Sequence, residues 1–199
     1  IFFEDADRYR YLRFLKKYSY ECHCVIHVFC LMPNHVHFLA TPEKKDCLAK
    51  MMQKVSLSYT QYVNDKYERT GRLWECRFHS CVVDDDNYLL NVCRYIERNP
   101  VRAKLVKKPV NYKWSSVRIS TGLVKKESFI KPIFRDRRKQ ACYADFLNDE
   151  SDPDQEDMIR KVTGNGKPYG SREFVKPLKT VYPENLPTSR RRSGGRGGR

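Results

Sequence analysis

Residues 31–40, which read LMPNHVHFLA, decide the fold of this chain. Pro33 cannot donate a hydrogen bond to a sheet ladder, so the Met-Pro-Asn segment predicts a break between two strands. The apolar run before the break predicts one strand, and the alternating run after it predicts a second, shorter one. Side chains two positions apart on a strand point to the same face, so His35 and His37 are expected to project together.

Two imidazoles on one face of a strand suit a divalent metal ion. The pattern by itself is a weak signal, because unrelated surface histidines often stand two positions apart. A metal site at His35 and His37 therefore needs a further ligand from elsewhere in the chain.

A helix predicted to begin at Asp84–Asp86 and to end at Asn99, before Pro100, carries the second candidate. Tyr95 and Asn99 stand four positions apart, so they share one helix face, away from the apolar stripe. A phenol and an amide oxygen would then reach the same point as the two histidines, and an amide oxygen favours Mg²⁺ or Mn²⁺ over zinc. The alternative is that Tyr95 packs at the edge of the core and Asn99 caps the helix end.

The other elements follow from hydrophobic periodicity and from turn residues. The full prediction comprises helices at 5–18, 44–67 and 84–99, strands at 22–31, 35–40 and 73–83, a basic loop at 101–125, a short helix at 141–147, a further helix that starts near 158, and disorder at 178–199.

The composition favours a polyanionic partner. The 199 residues carry 39 Lys and Arg against 24 Asp and Glu, a formal net charge of +15, which favours nucleic-acid binding. A solvated basic surface, or charge concentrated in the tail, is the alternative. The 8 cysteines are scattered without zinc-knuckle spacing, so they predict reduced, mostly buried thiols in a cytosolic protein. No apolar run approaches the length of a membrane span.

Several stretches in a fixed order carry a resemblance to a known family. Residues 31–39 contain His, a bulky hydrophobe and His, and three stretches follow: RTGRLW at 69–74, RYIERNPVRA at 94–103 and YKWSS at 112–116. Together they resemble the REP-associated tyrosine transposases, which belong to the superfamily of single-tyrosine HUH endonucleases and transposases. Residues 166–175 also resemble the end of the long family members.

The resemblance implies an α+β fold, with a ferredoxin-like (palm-type) antiparallel sheet flanked by helices. It implies an HUH single-tyrosine transposase domain at 1–125, a C-terminal helical extension at 126–177 and a disordered basic Arg/Gly tail at 178–199. The first strand of the family is missing ahead of Ile1, so an open sheet edge is expected beside the histidine strand. The chain is then a truncated gene product or part of a longer protein.

The resemblance also implies a mechanism. Tyr95 corresponds to the nucleophile, while His35, His37 and Asn99 correspond to the ligands of Mg²⁺ or Mn²⁺. The product is a covalent 5′-phosphotyrosine link with a free 3′-OH, formed on single-stranded or hairpin DNA. Basic residues near these motifs are expected to contact DNA phosphates, with a merely solubilising surface as the alternative. They are Arg69, Arg72, Arg77, Arg94, Arg98, Arg102 and Lys104.

Three functions remain open from the sequence. The first is a metal-dependent DNA transposase or nickase in the cytoplasm, associated with the nucleoid. Its expected partners are DNA and a second copy of the chain. Neither a membrane partner nor a small-molecule substrate is expected. The second is a domesticated or truncated protein that binds hairpin DNA without cutting it. The third is a structural zinc protein, which the cysteine spacing disfavours.

Overall fold

Two antiparallel strands, β1 (Cys24–Leu31) and β2 (Val36–Pro42), lie at the centre of the computed structural model, which describes residues 1–85, 87–124, 129–149 and 152–181. Cys30 pairs with His37 across the ladder, and the register shifts once, between Ile26 and Val28. The two predicted strands and the break at Pro33 are therefore confirmed, with bounds that move by two residues at most.

The second edge of β1 is covered by later parts of the chain. The backbone N–H of Leu31 donates to the Trp114 carbonyl at 2.8 Å, and that of Ser116 donates to the Phe29 carbonyl at 3.0 Å. Further along the strand, the N–H of Lys131 donates to the Ile26 carbonyl at 2.8 Å. Within the described residues, β1 is thus enclosed on both sides, while β2 has β1 as its one neighbouring strand.

Two long helices, α1 (Asp5–Glu21) and α2 (Cys47–Lys66), pack against each other and against β1. Both carry apolar residues at helical spacing, which produces one buried stripe per helix. The rings of Tyr11 and Tyr59 meet edge to face in this interface, 5.1 Å apart. The predicted helices and the α+β class, with helices packed on an antiparallel sheet, are confirmed. The fully buried residues of the two stripes are Tyr11, Leu15, Met51, Val55, Tyr59 and Val63.

A buried carboxylate joins the start of α1 to the end of α2. Asp7 accepts hydrogen bonds from the backbone N–H groups of Phe3 and Glu4. It also accepts bonds from Lys66 at 2.7 Å, from the Tyr67 hydroxyl at 2.8 Å and from Tyr62 at 3.0 Å. All its acceptor positions are therefore used, as a charge fully removed from water requires.

The strand predicted at 73–83 is wrong. Within this segment only Val83 forms a bridge, to Tyr169, and most of the remainder is irregular and exposed. Trp74 explains the difference, because its indole N–H donates to the Ser56 carbonyl of α2 at 3.3 Å and its ring lies 6.1 Å from that of Tyr59. The segment is held by this tertiary contact rather than by a ladder.

The next helix, α3 (Asn87–Arg102), begins later and ends later than predicted. Asp84 does not cap it, since the carboxylate of Asp84 accepts from the N–H and the hydroxyl of Ser171. The helix continues through Pro100, which lacks the N–H that would bond to the Ile96 carbonyl. The Asn99 amide N–H₂ lies 3.5 Å from that carbonyl and 2.7 Å from the carbonyl of Tyr95, so it partly replaces the missing donor.

Short helices complete the described residues. The predicted loop at 101–125 contains a 3-10 turn and one helical turn, so it is more ordered than expected. The predicted helices at 141–147 and near 158 are confirmed and begin earlier. Residues 178–181 belong to the last helix, and the rest of the predicted tail, 182–199, lies outside the described residues. The elements are the 3-10 turn Pro109–Asn111, α4 (Val117–Ser120), α5 (Arg137–Asn148), α6 (Pro153–Gly164) and α7 (Arg172–Val181).

The described residues form two compact units. The first comprises Ile1–Phe78 and Leu90–Asp152, and the second comprises His79–Leu89 and the residues from Pro153 onward. The functional division expected at residues 125 and 177 stays a prediction. All 8 cysteines are free thiols and 5 of them are buried, as predicted. No helix in the described residues combines the length and apolar character that crossing a membrane requires.

Candidate active site

The two histidines of the β2 strand lie side by side. Their ring centroids are 4.7 Å apart and the rings are nearly perpendicular, at 89°. His35 is exposed, and its Nδ1 lies 2.7 Å from the side-chain oxygen of Asn34. His37 is half-buried, and its Nε2 is buried without any hydrogen-bond partner. A buried nitrogen with an unused lone pair or proton is uncommon in proteins, and a bound metal ion would account for it.

Both imidazoles are electrically neutral near pH 7. Burial lowers the pKa of His37 to about 3, and electrostatic repulsion from Arg102 and from the protonated form of His35 acts in the same direction. Burial also lowers the pKa of His35, again with a contribution from Arg102. Neutral imidazole is the form that coordinates metal ions, so the local environment favours ligation over protonation.

Helix α3 brings Tyr95 to the histidine pair. The Tyr95 ring lies 5.7 Å from the ring of His37, edge to face at 79°. Tyr95 exposes only 8% of its surface, so most of the ring is covered by its neighbours. The Tyr95 ring thus contacts His37, which in turn contacts His35, so the three side chains lie together as the spacing of the sequence predicts.

Asn99 lies one helical turn beyond Tyr95 and is almost completely buried, at 2% exposure. Its amide N–H₂ donates to the Tyr95 carbonyl at 2.7 Å. Its amide oxygen, the predicted metal ligand, accepts a hydrogen bond from the Arg102 guanidinium at 2.7 Å. The oxygen is therefore held by a cationic side chain of the same helix.

Arg102 contacts two of the predicted site residues. Besides the bond to Asn99, its guanidinium carbon lies 5.0 Å from the centre of the Tyr95 ring, within the range of a cation–π contact. The sequence suggested Arg102 only as one of several DNA contacts. The signal for a closer role was its position, because residues three and seven places before it fall on the same helix face.

A fully buried carboxylate on another side of α3 fixes the helix in place. The Glu97 oxygens accept from the hydroxyls of Ser116 and Ser120, each at 2.7 Å, and from that of Tyr143 at 2.9 Å. Burial raises the pKa of Glu97 to about 7, although these hydrogen bonds act in the opposite direction. Sequence reasoning missed Glu97, since its partners lie 19, 23 and 46 positions away. These three hydrogen bonds, which we call the Glu97 anchor, fix the rotation of α3 about its axis and with it the position of Tyr95.

Two of the predicted DNA contacts are directed at α5. Arg94 is buried, with its guanidinium carbon 4.4 Å from the centre of the Phe146 ring. Arg98 donates to the carbonyls of Leu147 and, at 2.8 Å, Asp149, which satisfies backbone groups at the end of the helix. These contacts are sufficient to explain both arginines, and their part in DNA binding stays a prediction.

The other predicted DNA contacts are exposed and therefore accessible to a ligand. Arg69 lies above the exposed Phe3 ring, 5.8 Å from its centre. Lys104 follows α3 in a left-handed backbone conformation, with a φ of 57°. Their role in binding stays a prediction as well. The exposed members of the set are Arg69, Arg72, Arg77, Arg102 and Lys104.

The residues fit a metal ion in part. His35 and His37 offer neutral imidazoles, and the partnerless Nε2 of His37 supplies the strongest structural reason to expect one. Among the described residues, no group of three or more His, Cys, Asp and Glu side chains is arranged to hold a metal. A third protein ligand would have to be a neutral oxygen, and the amide of Asn99 qualifies once Arg102 releases it.

Comparison with known proteins agrees with the sequence motifs. Residues 1–99 match the family described as Transposase IS200 like. A Haemophilus influenzae protein named "Putative REP-associated tyrosine transposase" is 29% identical to the chain over 98 residues, which cover 44% of this chain and 55% of that protein. The chain therefore spans about half the length of this curated relative. No solved structure matches the chain significantly.

Proposed function

The chain belongs, through its residues 1–99, to the family of IS200-like transposases, and from this premise we propose that it cuts and rejoins single-stranded DNA through Tyr95. The observation that carries the proposal is the meeting of the Tyr95 ring with the His35–His37 pair, whose inner nitrogen has no partner. A phenol beside two neutral imidazoles is the arrangement that metal-assisted attack on a phosphodiester requires.

In the proposed reaction the Tyr95 hydroxyl attacks a DNA phosphate. The phenol loses its proton, its oxygen forms a bond to phosphorus, and the bond from phosphorus to the 3′ oxygen breaks. The departing 3′ oxygen takes up a proton, which leaves a 5′-phosphotyrosine link and a free 3′-OH. Because a phosphodiester replaces a phosphodiester, the reverse step rejoins DNA without an external energy source.

His35, His37 and Asn99 are the residues that would hold Mg²⁺ or Mn²⁺. Such an ion would polarise the scissile phosphate and offset its charge. The chain itself positions the reacting groups: α3 places Tyr95, the Glu97 anchor fixes α3, and burial keeps both imidazoles in the neutral form.

The partner in this proposal is single-stranded or hairpin DNA. The net charge of +15 supports a polyanionic ligand, and exposed arginines of the Arg-Thr-Gly-Arg segment supply candidate phosphate contacts. A cytoplasmic location at the nucleoid, and association of two copies of the chain, belong to the same proposal.

A covalent-adduct assay tests this function. The protein is incubated with Mn²⁺ and a pool of labelled single-stranded hairpins with randomised flanks, since the recognised sequence is open. A DNA-linked protein band is expected on a denaturing gel, and it should disappear in Tyr95→Phe. Tyr88→Phe is the matched control, because the Tyr88 ring packs edge to face against Tyr169 and has no place in the proposed site, so the band should remain. A band that persists in Tyr95→Phe would contradict the proposal.

One observation favours a second function, DNA binding without cleavage. Tyr95 exposes only 8% of its surface, and the guanidinium of Arg102 lies over its ring, so little of the side chain is open to a substrate. A protein that retains the hairpin pool on a filter in Mn²⁺ but never forms the denaturation-resistant band would have this function.

A further inference from the structure

We propose that Arg102 is a latch of the metal site: it occupies the amide oxygen of Asn99 and covers Tyr95 until a divalent cation displaces it. This inference rests on the proposed function, because it concerns the same site. It makes Arg102 a positioning residue whose guanidinium and the metal ion compete for one oxygen.

The geometry of Asn99 carries the first step. Its amide N–H₂ is committed to the Tyr95 carbonyl at 2.7 Å, with the Ile96 carbonyl at 3.5 Å. This commitment fixes the orientation of the amide, because a flipped amide would direct its oxygen at two carbonyl oxygens. The remaining oxygen therefore points to Arg102, which donates to it at 2.7 Å.

The position of the guanidinium carries the second step. The same side chain that binds Asn99 lies 5.0 Å from the centre of the Tyr95 ring, and this ring is in turn 5.7 Å from that of His37. The guanidinium thus contacts both the predicted ligand Asn99 and the predicted nucleophile Tyr95, whose ring contacts His37.

Electrostatics then requires an exchange. Two cations on one amide oxygen would repel each other strongly in a partly buried site, so a metal ion that takes the Asn99 oxygen and the guanidinium that now holds it exclude one another. The Asn99 oxygen would then be available to the metal ion, and Arg102 would leave the Tyr95 ring. Its planar fork of donors matches a phosphate group, so the DNA substrate would hold the displaced guanidinium.

Mn²⁺ binding without DNA tests the latch, with free Mn²⁺ followed by electron paramagnetic resonance. Arg102→Gln is expected to bind Mn²⁺ about threefold to tenfold more tightly than the wild type, since one charge-assisted hydrogen bond no longer opposes binding. Arg102→Lys, which keeps the charge but not the fork, should fall between the two. Lys107→Gln, which removes a charge from an exposed position, is the matched control and should show no such gain.

A double-mutant cycle separates the direct contact from general charge. With Asn99→Ala in the background, Arg102→Gln should lose most of its effect, because the oxygen under competition is gone. An equal gain in both backgrounds, or no gain over Lys107→Gln, overturns the latch. If Asn99→Ala does not fold, the comparison of Arg102→Gln with Lys107→Gln decides alone.

The histidine variants distinguish the two proposals. If the wild type binds no Mn²⁺, or binds it equally well after His35→Ala and His37→Ala, the metal site itself is refuted and the latch with it. If binding needs both histidines but is indifferent to Arg102, the latch alone is refuted and the proposed function is unaffected.

Discussion

The side-chain amide of Asn99 has three hydrogen-bond partners. It donates to the Tyr95 carbonyl, it partly replaces the donor that Pro100 lacks, and its oxygen accepts from Arg102. The spacing from Tyr95 was visible in the sequence, and so was the amide oxygen that makes Asn99 a candidate metal ligand. The hydrogen bond from Arg102 was not, because helical spacing indicates which residues are neighbours but not which donor holds the oxygen.

Asp7 provides a prediction at the same scale. Burial alone would raise its pKa, but hydrogen bonds from Lys66, Tyr67 and the backbone of Phe3 and Glu4 prevail and lower it to about 2, from an ordinary 3.8. The folded state therefore binds a proton on Asp7 more weakly than the unfolded state does. The ionised carboxylate contributes its full stabilisation above the ordinary pKa, and this stabilisation is lost as the pH falls through 2.

The wild type should therefore lose stability between about pH 4 and pH 2 more steeply than Asp7→Asn, which should also be the less stable protein at pH 7. Urea unfolding followed by circular dichroism across this range measures both effects. Asp65→Asn, an exposed position of α2, is the control and should follow the wild type. Parallel pH curves for the wild type and Asp7→Asn would refute the role of Asp7.

At the scale of elements, two buried tyrosines differ in one respect. The Tyr143 hydroxyl of α5 donates to Glu97 of α3 at 2.9 Å, whereas the buried hydroxyl of Tyr11 has no partner. Tyr143→Phe should cost about 1–3 kcal/mol in the free energy of unfolding, since it removes a donor from a buried carboxyl group. Tyr11→Phe should be neutral or stabilising, since it removes an unpaired polar group. Urea denaturation measures the free energy of unfolding of both variants. Similar losses in the two would show that the hydrogen bond between Tyr143 and Glu97 does not specifically stabilise the protein.

The elements that the sequence predicts correctly follow from local patterns, whereas the strand that it predicts wrongly depends on a contact between distant residues. The strand pair and the histidine face follow from a period of two and from Pro33, which are local properties. The strand predicted at 73–83 failed because Trp74 docks on α2, a contact that no local pattern contains. Likewise the position of Tyr95 depends on Glu97, whose carboxyl group binds a hydroxyl 46 residues away, so the sequence indicated the candidate nucleophile but not the contact that positions it.

For the whole molecule, the basic charge divides into accessible and buried parts. Arg72 is exposed, while Arg94 is buried against Phe146. In single-stranded DNA binding, Arg72→Gln is expected to reduce the slope of log K against log salt concentration by about 0.7, the value for one phosphate contact. Arg94→Gln should leave this slope unchanged and lower the melting temperature instead.

Fluorescence anisotropy at several salt concentrations, with thermal melting of each variant, measures both quantities. An unchanged slope in Arg72→Gln would remove that residue from the proposed DNA surface. A reduced slope in Arg94→Gln with an unchanged melting temperature would show that Arg94 contacts DNA, and it would contradict the structural role of this residue.

The passage of α3 through Pro100 has an evolutionary consequence. Because the proline leaves a helix carbonyl without its donor, and the neighbouring amide partly compensates, each of the two residues alters the cost of replacing the other. Selection on Asn99 for its proposed role as a ligand and selection on Pro100 for helix geometry would then act as one joint constraint. Among related chains, the two positions are expected to vary together, so that a substitution at one is accompanied by a compensating substitution at the other.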